Sequence, residues 1–130
     1  MECSVIICTH NPRADYLQRV LEALRSQTLP QARWELLLVD NASRERLSGA
    51  WELFWHSQAR ILHEPQIGLT HARLRGISES TGDLLVFVDD DNVLAADYLA
   101  NALALASAWP NLGAFGASIS AEFETPPPHS

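Results

Sequence analysis

The 130-residue sequence contains no lysine: its nine basic residues are all arginines, set against 16 acidic residues. The formal net charge of −7 at pH 7 leaves no basic surface of the kind that binds nucleic-acid phosphates. The 47% hydrophobic and 19% charged content is typical of a globular chain, and the length fits one domain with a buried core. We therefore expect one globular domain without a nucleic-acid partner.

Cysteine is almost as scarce, because the chain contains only Cys3 and Cys8. In an extended segment, residues five positions apart are separated by about 16 Å, which is far beyond the reach of a disulfide bond. We expect two reduced thiols and, from them, a cytoplasmic location.

Long hydrophobic runs are also lacking. The apolar run Val5–Cys8 is too short for the hydrophobic region of a signal peptide. The most apolar long window, Val93–Trp109, is interrupted by Asp97 and Asn101, which favours a buried helix over a membrane span. A location at the cytoplasmic face of a membrane, as part of a longer protein, is compatible with this pattern.

Four short apolar segments, each bounded by polar residues, predict strands that are buried on both faces, as in parallel sheets. They are Ser4–Cys8, Trp34–Val39, Arg60–Leu62 and Leu84–Val88. Helical patterns lie between and after them. Four helices are predicted. The first begins after the N-cap Asn11 with Pro12, and the second covers Leu47–Gln58. The third covers Leu69–Ser80 and is capped by Thr70, and the fourth covers Ala96–Trp109. The alternation predicts a three-layer α/β/α sandwich with a mostly parallel sheet.

Polar residues follow three of the predicted strands at their carboxyl ends, where open parallel sheets bind ligands. They are Thr9, His10 and Asn11, then Asp40 and Asn41, then Asp89, Asp90, Asp91 and Asn92. Carboxylates and other oxygen donors suit Mg²⁺ or Mn²⁺, which are often held by one or two carboxylates together with substrate phosphates. No Gly-x-Gly-x-x-Gly or Gly-x-x-x-x-Gly-Lys pattern follows the first strand, which argues against a dinucleotide-binding fold and a P-loop NTPase.

Three segments in order, Ser4–Ser43, Gly68–Ile77 and Thr81–Asn92, resemble the N-terminal half of family 2 glycosyltransferases with the GT-A fold. The resemblance covers nearly all of residues 4–118. It implies a nucleotide-sugar-binding half of a truncated GT-A domain at residues 1–118, with residues 119–130 as a tail or as the start of the missing acceptor-binding half. It also implies an enzyme that transfers a sugar, with inversion, from a UDP-sugar to an acceptor hydroxyl.

The resemblance further implies roles for individual residues. Thr9 lies near the nucleotide, Asp40 accepts a hydrogen bond from uracil, and Arg73 faces the base or the phosphates. The acidic triplet corresponds to the D-x-D motif: Asp91 reaches a divalent cation, Mn²⁺ or Mg²⁺, that bridges the diphosphate. Either Asp89 or Asp90 contacts the ribose, because three consecutive aspartates allow two registers.

The sequence departs from the family pattern in two places. Leu74 stands where the family commonly has asparagine. No residue after Asp91 is assigned as the catalytic base, since only Asp97, Glu122 and Glu124 are acidic there. We therefore expect a truncated, donor-binding part that does not transfer sugar by itself. An apolar sheet edge around Gly113–Phe123 would then be exposed and would either pair with a second copy or limit solubility.

Other interpretations stay open. The chain could be a non-catalytic glycosyltransferase-like binding module, or a nucleotidyltransferase, although the glycine-rich basic loop expected of the latter is missing. The acidic triplet could be a solvated loop, Asp40 a turn cap and Arg73 an ordinary surface arginine. A structural role is preferred for His10 and His71, because their spacing matches no ligand pattern. The aromatic residues Trp51, Phe54 and Trp55 fall at helical spacing, so core packing is preferred over stacking on a sugar.

Overall fold

The computed structural model describes residues 1–108. Four strands alternate with three helices and one short 3-10 turn, Gln31–Arg33. The strands are β1 (Cys3–Thr9), β2 (Trp34–Asp40), β3 (Ala59–His63) and β4 (Leu84–Asp89), and the helices are α1 (Ala14–Arg25), α2 (Leu69–Glu79) and α3 (Tyr98–Ala108). All strand pairs are parallel, in the order β3-β2-β1-β4.

The register aligns the carboxyl ends of the central strands. Thr9, the last residue of β1, pairs with Asp40, the last residue of β2. On the other side of β1, Cys8 pairs with Asp89 at the end of β4. The loops that follow β1, β2 and β4 therefore leave the sheet at nearly the same level and meet above one edge, which is hereafter the carboxyl edge.

Helices cover both faces of the sheet, as expected for strands that are buried on both sides. Apolar residues of α1 and α3 join one core cluster with alternate residues of the strands, and Ala72 of α2 joins a second cluster on the opposite face with Ile6, Leu37 and Val39. The contact with α2 is tight, because a Cβ atom at Gly76 would lie 2.5 Å from Cγ2 of Ile6. The predicted three-layer sandwich with a parallel sheet is confirmed.

The helix predicted at Leu47–Gln58 is wrong. This segment contains isolated hydrogen-bonded turns but no helix, and an isolated bridge joins Ser48 to Trp51. Tertiary contacts override the helical pattern: His56 is buried, with its ring centroid 4.3 Å from that of Trp34. Core packing is confirmed for the tryptophans at 51 and 55, but it is wrong for Phe54, which is 87% exposed.

The helix boundaries differ slightly from the predicted ones. Arg13 is the N-cap of α1, and Asn11 instead takes a positive φ of 48° in the loop before it. Helix α2 is capped by Gly68 and not by Thr70, and α3 begins at Tyr98. At α1 the shift arises because the side-chain carbonyl of Asn11 accepts the N–H of Arg44 in another loop and not an N–H of the helix.

Cys3 and Cys8 form no disulfide bond, as predicted. They belong to different layers: Cys3 lies in the cluster with α1, where burial raises its pKa to about 12, and Cys8 packs against the cluster with α2. Across residues 1–108, no helix is long and apolar enough to span a membrane. The edge predicted around Gly113–Phe123 and the segment 119–130 lie outside the described residues.

Candidate functional site

The loops after β1 and β2 are joined by hydrogen bonds at the carboxyl edge. The backbone N–H of Asn41 donates to the carbonyl of Thr9 at 2.7 Å, and the Nδ1 N–H of His10 donates to the carbonyl of Asn41 at 2.6 Å. His10 therefore has a structural partner, in agreement with its structural interpretation. These bonds continue the strand pairing for one residue beyond the sheet.

A second set of bonds connects the same two loops further from the sheet. The hydroxyl of Ser43 accepts from the N–H of Asn11 at 2.8 Å, and the side-chain carbonyl of Asn11 accepts from the N–H of Arg44 at 2.8 Å. Asn11 and Ala42 have φ angles of 48° and 55°. Such left-handed conformations cost non-glycine residues about 1–3 kcal/mol each, and they occur often at functional sites.

Asp40 supports the loop that follows β2 from beneath. Its side chain is 1% exposed, and its two carboxylate oxygens accept the N–H groups of Ser43 at 3.1 Å and Leu47 at 3.0 Å. Burial raises the pKa of Asp40, but these hydrogen bonds outweigh it, so the pKa lies below its ordinary value and the carboxyl group is ionised at neutral pH.

The acidic triplet forms the turn that follows β4. The hydroxyl of Thr9, 4% exposed, donates to the carboxylate of Asp90 and so joins the ends of β1 and β4. The amide of Asn92 donates to the Asp89 carboxylate at 3.1 Å. Asp91 is exposed at the turn itself. The structure therefore brings Thr9 and the triplet together.

Arg73 lies on α2, on the face of the sheet opposite α1. It is partly buried, and its guanidinium carbon lies 5.6 Å from the ring centroid of Phe87, two residues before Asp89. The arginine is thus directed toward the strand that carries the acidic turn. Leu74, the departure from the family pattern, is 58% exposed on the same helix.

The residues of the turn fit a hard divalent cation in one specific way. Across residues 1–108, no group of three His, Cys, Asp or Glu residues is placed to hold a metal ion. Magnesium, however, is commonly held by one or two carboxylates together with phosphate oxygens and waters. An exposed carboxylate at Asp91, next in the chain to two further aspartates, is compatible with that arrangement.

Sequence reasoning did not assign a role to several buried polar residues at this edge. Asn41 is 4% exposed and Ser43 is 9% exposed. Glu64, 8% exposed, accepts the N–H of Gln66 at 2.9 Å and the Nε–H of Arg75 at 3.1 Å, and these contacts hold its pKa below the ordinary value. The signal for Asn41 was its place directly after a buried strand, and Ser43 follows two residues later.

Comparison with known proteins identifies the family. The family model described as Glycosyl transferase family 2 matches residues 4–129. The chain belongs to glycosyltransferase family 2. Among its family relatives, glycosyltransferase AglE of Haloferax volcanii is 34% identical over 91 residues, which are 68% of this chain and 30% of AglE. The chain thus spans less than a third of the length of that relative.

Two solved structures show the fold. S. aureus TarS 1-349 superposes with a TM-score of 0.74 at 23% identity, over 83% of this chain and 33% of TarS. Mannosyltransferase PcManGT from Pyrobaculum calidifontis, solved in complex with GDP-Man and Mn²⁺, has a TM-score of 0.72 at 27% identity, over 82% of this chain and 32% of PcManGT. TarS 1-349 has also been solved with UDP and with UDP-GlcNAc. The predicted GT-A fold is confirmed.

Proposed function

We propose that this chain is the donor-binding part of a glycosyltransferase that transfers a sugar, with inversion, from a UDP-sugar to an acceptor hydroxyl. The observation that carries the proposal is the contact between Thr9 and Asp90. It links the ends of the paired strands β1 and β4, and the exposed Asp91 is the next residue along the same turn. This edge is where parallel α/β sheets bind their ligands.

Asp91 is the residue that would hold Mn²⁺ or Mg²⁺, and PcManGT, solved with Mn²⁺, supports a divalent cation in the donor site. When bound, the cation neutralises the charge that develops on the departing diphosphate. Arg73 lies on α2, on the face of the sheet opposite α1. Its positive charge would face the base or the phosphates of the donor. Thr9 lies against the nucleotide, and Asp89 or Asp90 contacts the ribose.

Asp40 would contact uracil while it supports the loop after β2. Each oxygen of an ionised carboxylate has two lone pairs, so the bonds from Ser43 and Leu47 leave acceptor capacity. A depressed pKa keeps this acceptor ionised at the pH of the cell.

Three further parts of the proposal concern the whole protein. We expect the 130-residue chain to bind donor without transferring sugar, because no residue in it is assigned as the base that takes the acceptor proton. A cytoplasmic location is supported by Cys3 and Cys8, which are not joined by a disulfide bond. Pairing of two copies through a sheet edge is tested by light scattering, and a monomer at high concentration would contradict it.

Calorimetric titration of UDP into the chain in the presence of Mn²⁺ tests the donor site. We expect binding that is lost with EDTA and is weakened at least about tenfold in Asp91→Ala, since a metal ligand is removed. Asp83→Ala is the matched control, because Asp83 is exposed beside the other end of β4. A parallel titration of GDP tests the choice of base.

The possible results separate the two leading interpretations. UDP binding that requires both Mn²⁺ and Asp91 would establish the donor site. UDP binding that neither EDTA nor the Asp91→Ala substitution changes would contradict the proposed role of the metal. No binding of UDP or GDP would contradict the donor site and favour a non-catalytic module. Faster turnover of a UDP-sugar by the wild-type chain than by Asp91→Ala would contradict its proposed inactivity.

A further inference from the structure

One buried side chain at the carboxyl edge, that of Asn41, connects the loop after β2 to the loop between β3 and α2. Its Nδ2 group donates to the carbonyls of Glu64 at 3.1 Å and Gln66 at 2.8 Å, and its Oδ1 accepts the N–H of Gly68 at 2.9 Å. The backbone of the same residue bonds to Thr9 and His10. Asn41 therefore joins the loops that follow β1, β2 and β3.

The bond to Gly68 fixes the start of α2. Gly68 is the N-cap of this helix and has a φ of 139°, which L side chains rarely adopt. Further along α2, Gly76 packs directly against Ile6, so close that a Cβ atom would overlap the isoleucine side chain. Arg73 lies between these two points of attachment. Its position above the sheet depends on both.

We infer that Asn41 is a positioning residue for the donor site, which fixes the amino end of α2, and through it Arg73, relative to the loops after β1 and β2. The inference rests on the proposed function, since it assumes that Arg73 contacts the donor. It assigns to Asn41 no contact with the donor itself.

The contacts require an amide at this position. Two carbonyl groups and one N–H group surround the side chain, and only asparagine among residues of this size offers two donors and one acceptor. Aspartate has the same shape, but its carboxylate would face the two carbonyls without a hydrogen to donate. Asn41→Asp therefore keeps the packing and removes the bonds to Glu64 and Gln66.

Because α2 stays attached at Gly76, we expect Asn41→Asp to loosen the amino end of the helix without unfolding the domain. Loss of the buried bonds then weakens UDP binding in the presence of Mn²⁺ about tenfold. If Asn41 acts through Arg73, the same substitution has less than about a twofold effect on UDP affinity in an Arg73→Ala background.

The experiment measures UDP affinity by calorimetry and the thermal unfolding midpoint for the wild type, both single variants and the double variant. Ser4→Ala is the control for a buried polar network, because Ser4 donates to Glu35 at 2.5 Å near the opposite edge of the sheet. We expect Ser4→Ala to lower the unfolding midpoint and leave UDP affinity unchanged. Asn41→Asp should weaken UDP binding by more than its lower unfolding midpoint can explain.

The outcomes distinguish this inference from the proposed function. If the wild type binds UDP and Asn41→Asp binds it equally well, or if the affinity losses at Asn41 and Arg73 simply add, the inference is overturned and the donor site stands. If the wild type does not bind UDP, the proposed function fails. Amide hydrogen exchange at Gly68 then decides the structural part alone: unchanged exchange in Asn41→Asp would overturn it.

Discussion

The two edges of the sheet contain buried carboxylates with different surroundings. At the amino edge, one oxygen of Glu35 accepts three hydrogen bonds, from the hydroxyl of Ser4 and from the N–H and hydroxyl of Thr81. At the carboxyl edge, the two oxygens of Asp40 accept backbone N–H groups from a loop that rises above the sheet. The hydrogen bonds to Glu35 stay within one buried cluster, whereas those to Asp40 support a loop.

Under the proposed function, the amino edge contributes stability and the carboxyl edge binds the donor. The amino edge contains no exposed carboxylate among the residues that bond Glu35, and the neighbouring Gly82 donates its N–H to Ser4 at 2.7 Å. The carboxyl edge instead combines left-handed backbone at Asn11 and Ala42 with the exposed Asp91. We expect substitutions at the amino edge to change mainly the free energy of unfolding, and those at the carboxyl edge to change mainly donor affinity.

The largest expected effect is that of Gly82→Ala at the amino edge. A Cβ atom there would lie 2.5 Å from the backbone nitrogen of Ser4 and 2.6 Å from the carbonyl carbon of Cys3, so the backbone itself must shift. We expect the free energy of unfolding to fall by about 3 kcal/mol. Urea denaturation measures this, with the exposed Asp83→Ala as the neighbouring control. If Gly82→Ala lost no more unfolding free energy than Asp83→Ala, the amino edge would not be tightly packed around Gly82.

A smaller, pH-dependent loss is expected for Glu35→Gln. Burial raises the pKa of Glu35, but the bonds from Ser4 and Thr81 lower it by more, so the folded-state pKa lies below the ordinary value of 4.5. The ionised carboxylate therefore stabilises the fold above about pH 4.5, and this contribution is lost as the pH falls through the folded-state pKa. We expect the variant to be about 2 kcal/mol less stable at neutral pH.

Urea denaturation over a range of pH measures this difference between wild type and Glu35→Gln. It should shrink below pH 4.5, where the wild-type carboxylate becomes protonated. A difference that grows toward acid pH would have the wrong sign and would contradict the assigned charge state. UDP affinity should be the same in both proteins, because Glu35 lies far along β2 from Asp40.

The same substitution at each edge provides the most direct comparison. Thr9 donates its hydroxyl to Asp90 at the carboxyl edge, and Thr81 donates its hydroxyl to Glu35 at 3.0 Å at the amino edge. Valine keeps the shape of threonine and removes the bond, so Thr9→Val and Thr81→Val should each lose about 1 kcal/mol of stability.

Only Thr9→Val should also weaken UDP binding in the presence of Mn²⁺, by about fivefold, because it releases the acidic turn from β1. Calorimetry and thermal unfolding of the two variants under identical conditions measure both quantities. Equal effects on UDP affinity would mean that the two edges do not differ in function.

The layered fold was predictable because strands that are apolar at every position have few alternatives to a covered parallel sheet. The stripe of α1, with Leu17, Val20, Leu21 and Leu24 buried, follows the helical period closely. The segment after Leu47 has similar apolar spacing, but long-range contacts decide its structure. The ring of His56 packs on Trp34, and the N–H of Leu47 bonds to Asp40.

The site was predictable in outline, because the register of parallel strands aligns their carboxyl ends. The closeness of Thr9 and the triplet follows from that alignment. The partners of individual side chains were not predictable in the same way. Asn41 and Glu64 are 23 residues apart in the chain, and their contact depends on how two loops pack above the sheet.

The smallest effect is expected for a surface ion pair near the amino edge. It tests whether the stability of this edge comes from the buried residues around Glu35 alone. Glu2 and Arg33 form a bidentate ion pair near this edge, at 2.6 and 2.8 Å, but both side chains are about half exposed. Exposed pairs are screened by solvent and contribute little. Glu2→Gln should therefore leave the thermal unfolding midpoint unchanged within error, at both low and high salt. If Glu2→Gln instead lowered the midpoint as much as Thr81→Val does, and if high salt removed this difference, surface charge would contribute to the stability of the amino edge. The contrast with the carboxyl edge would then be weaker.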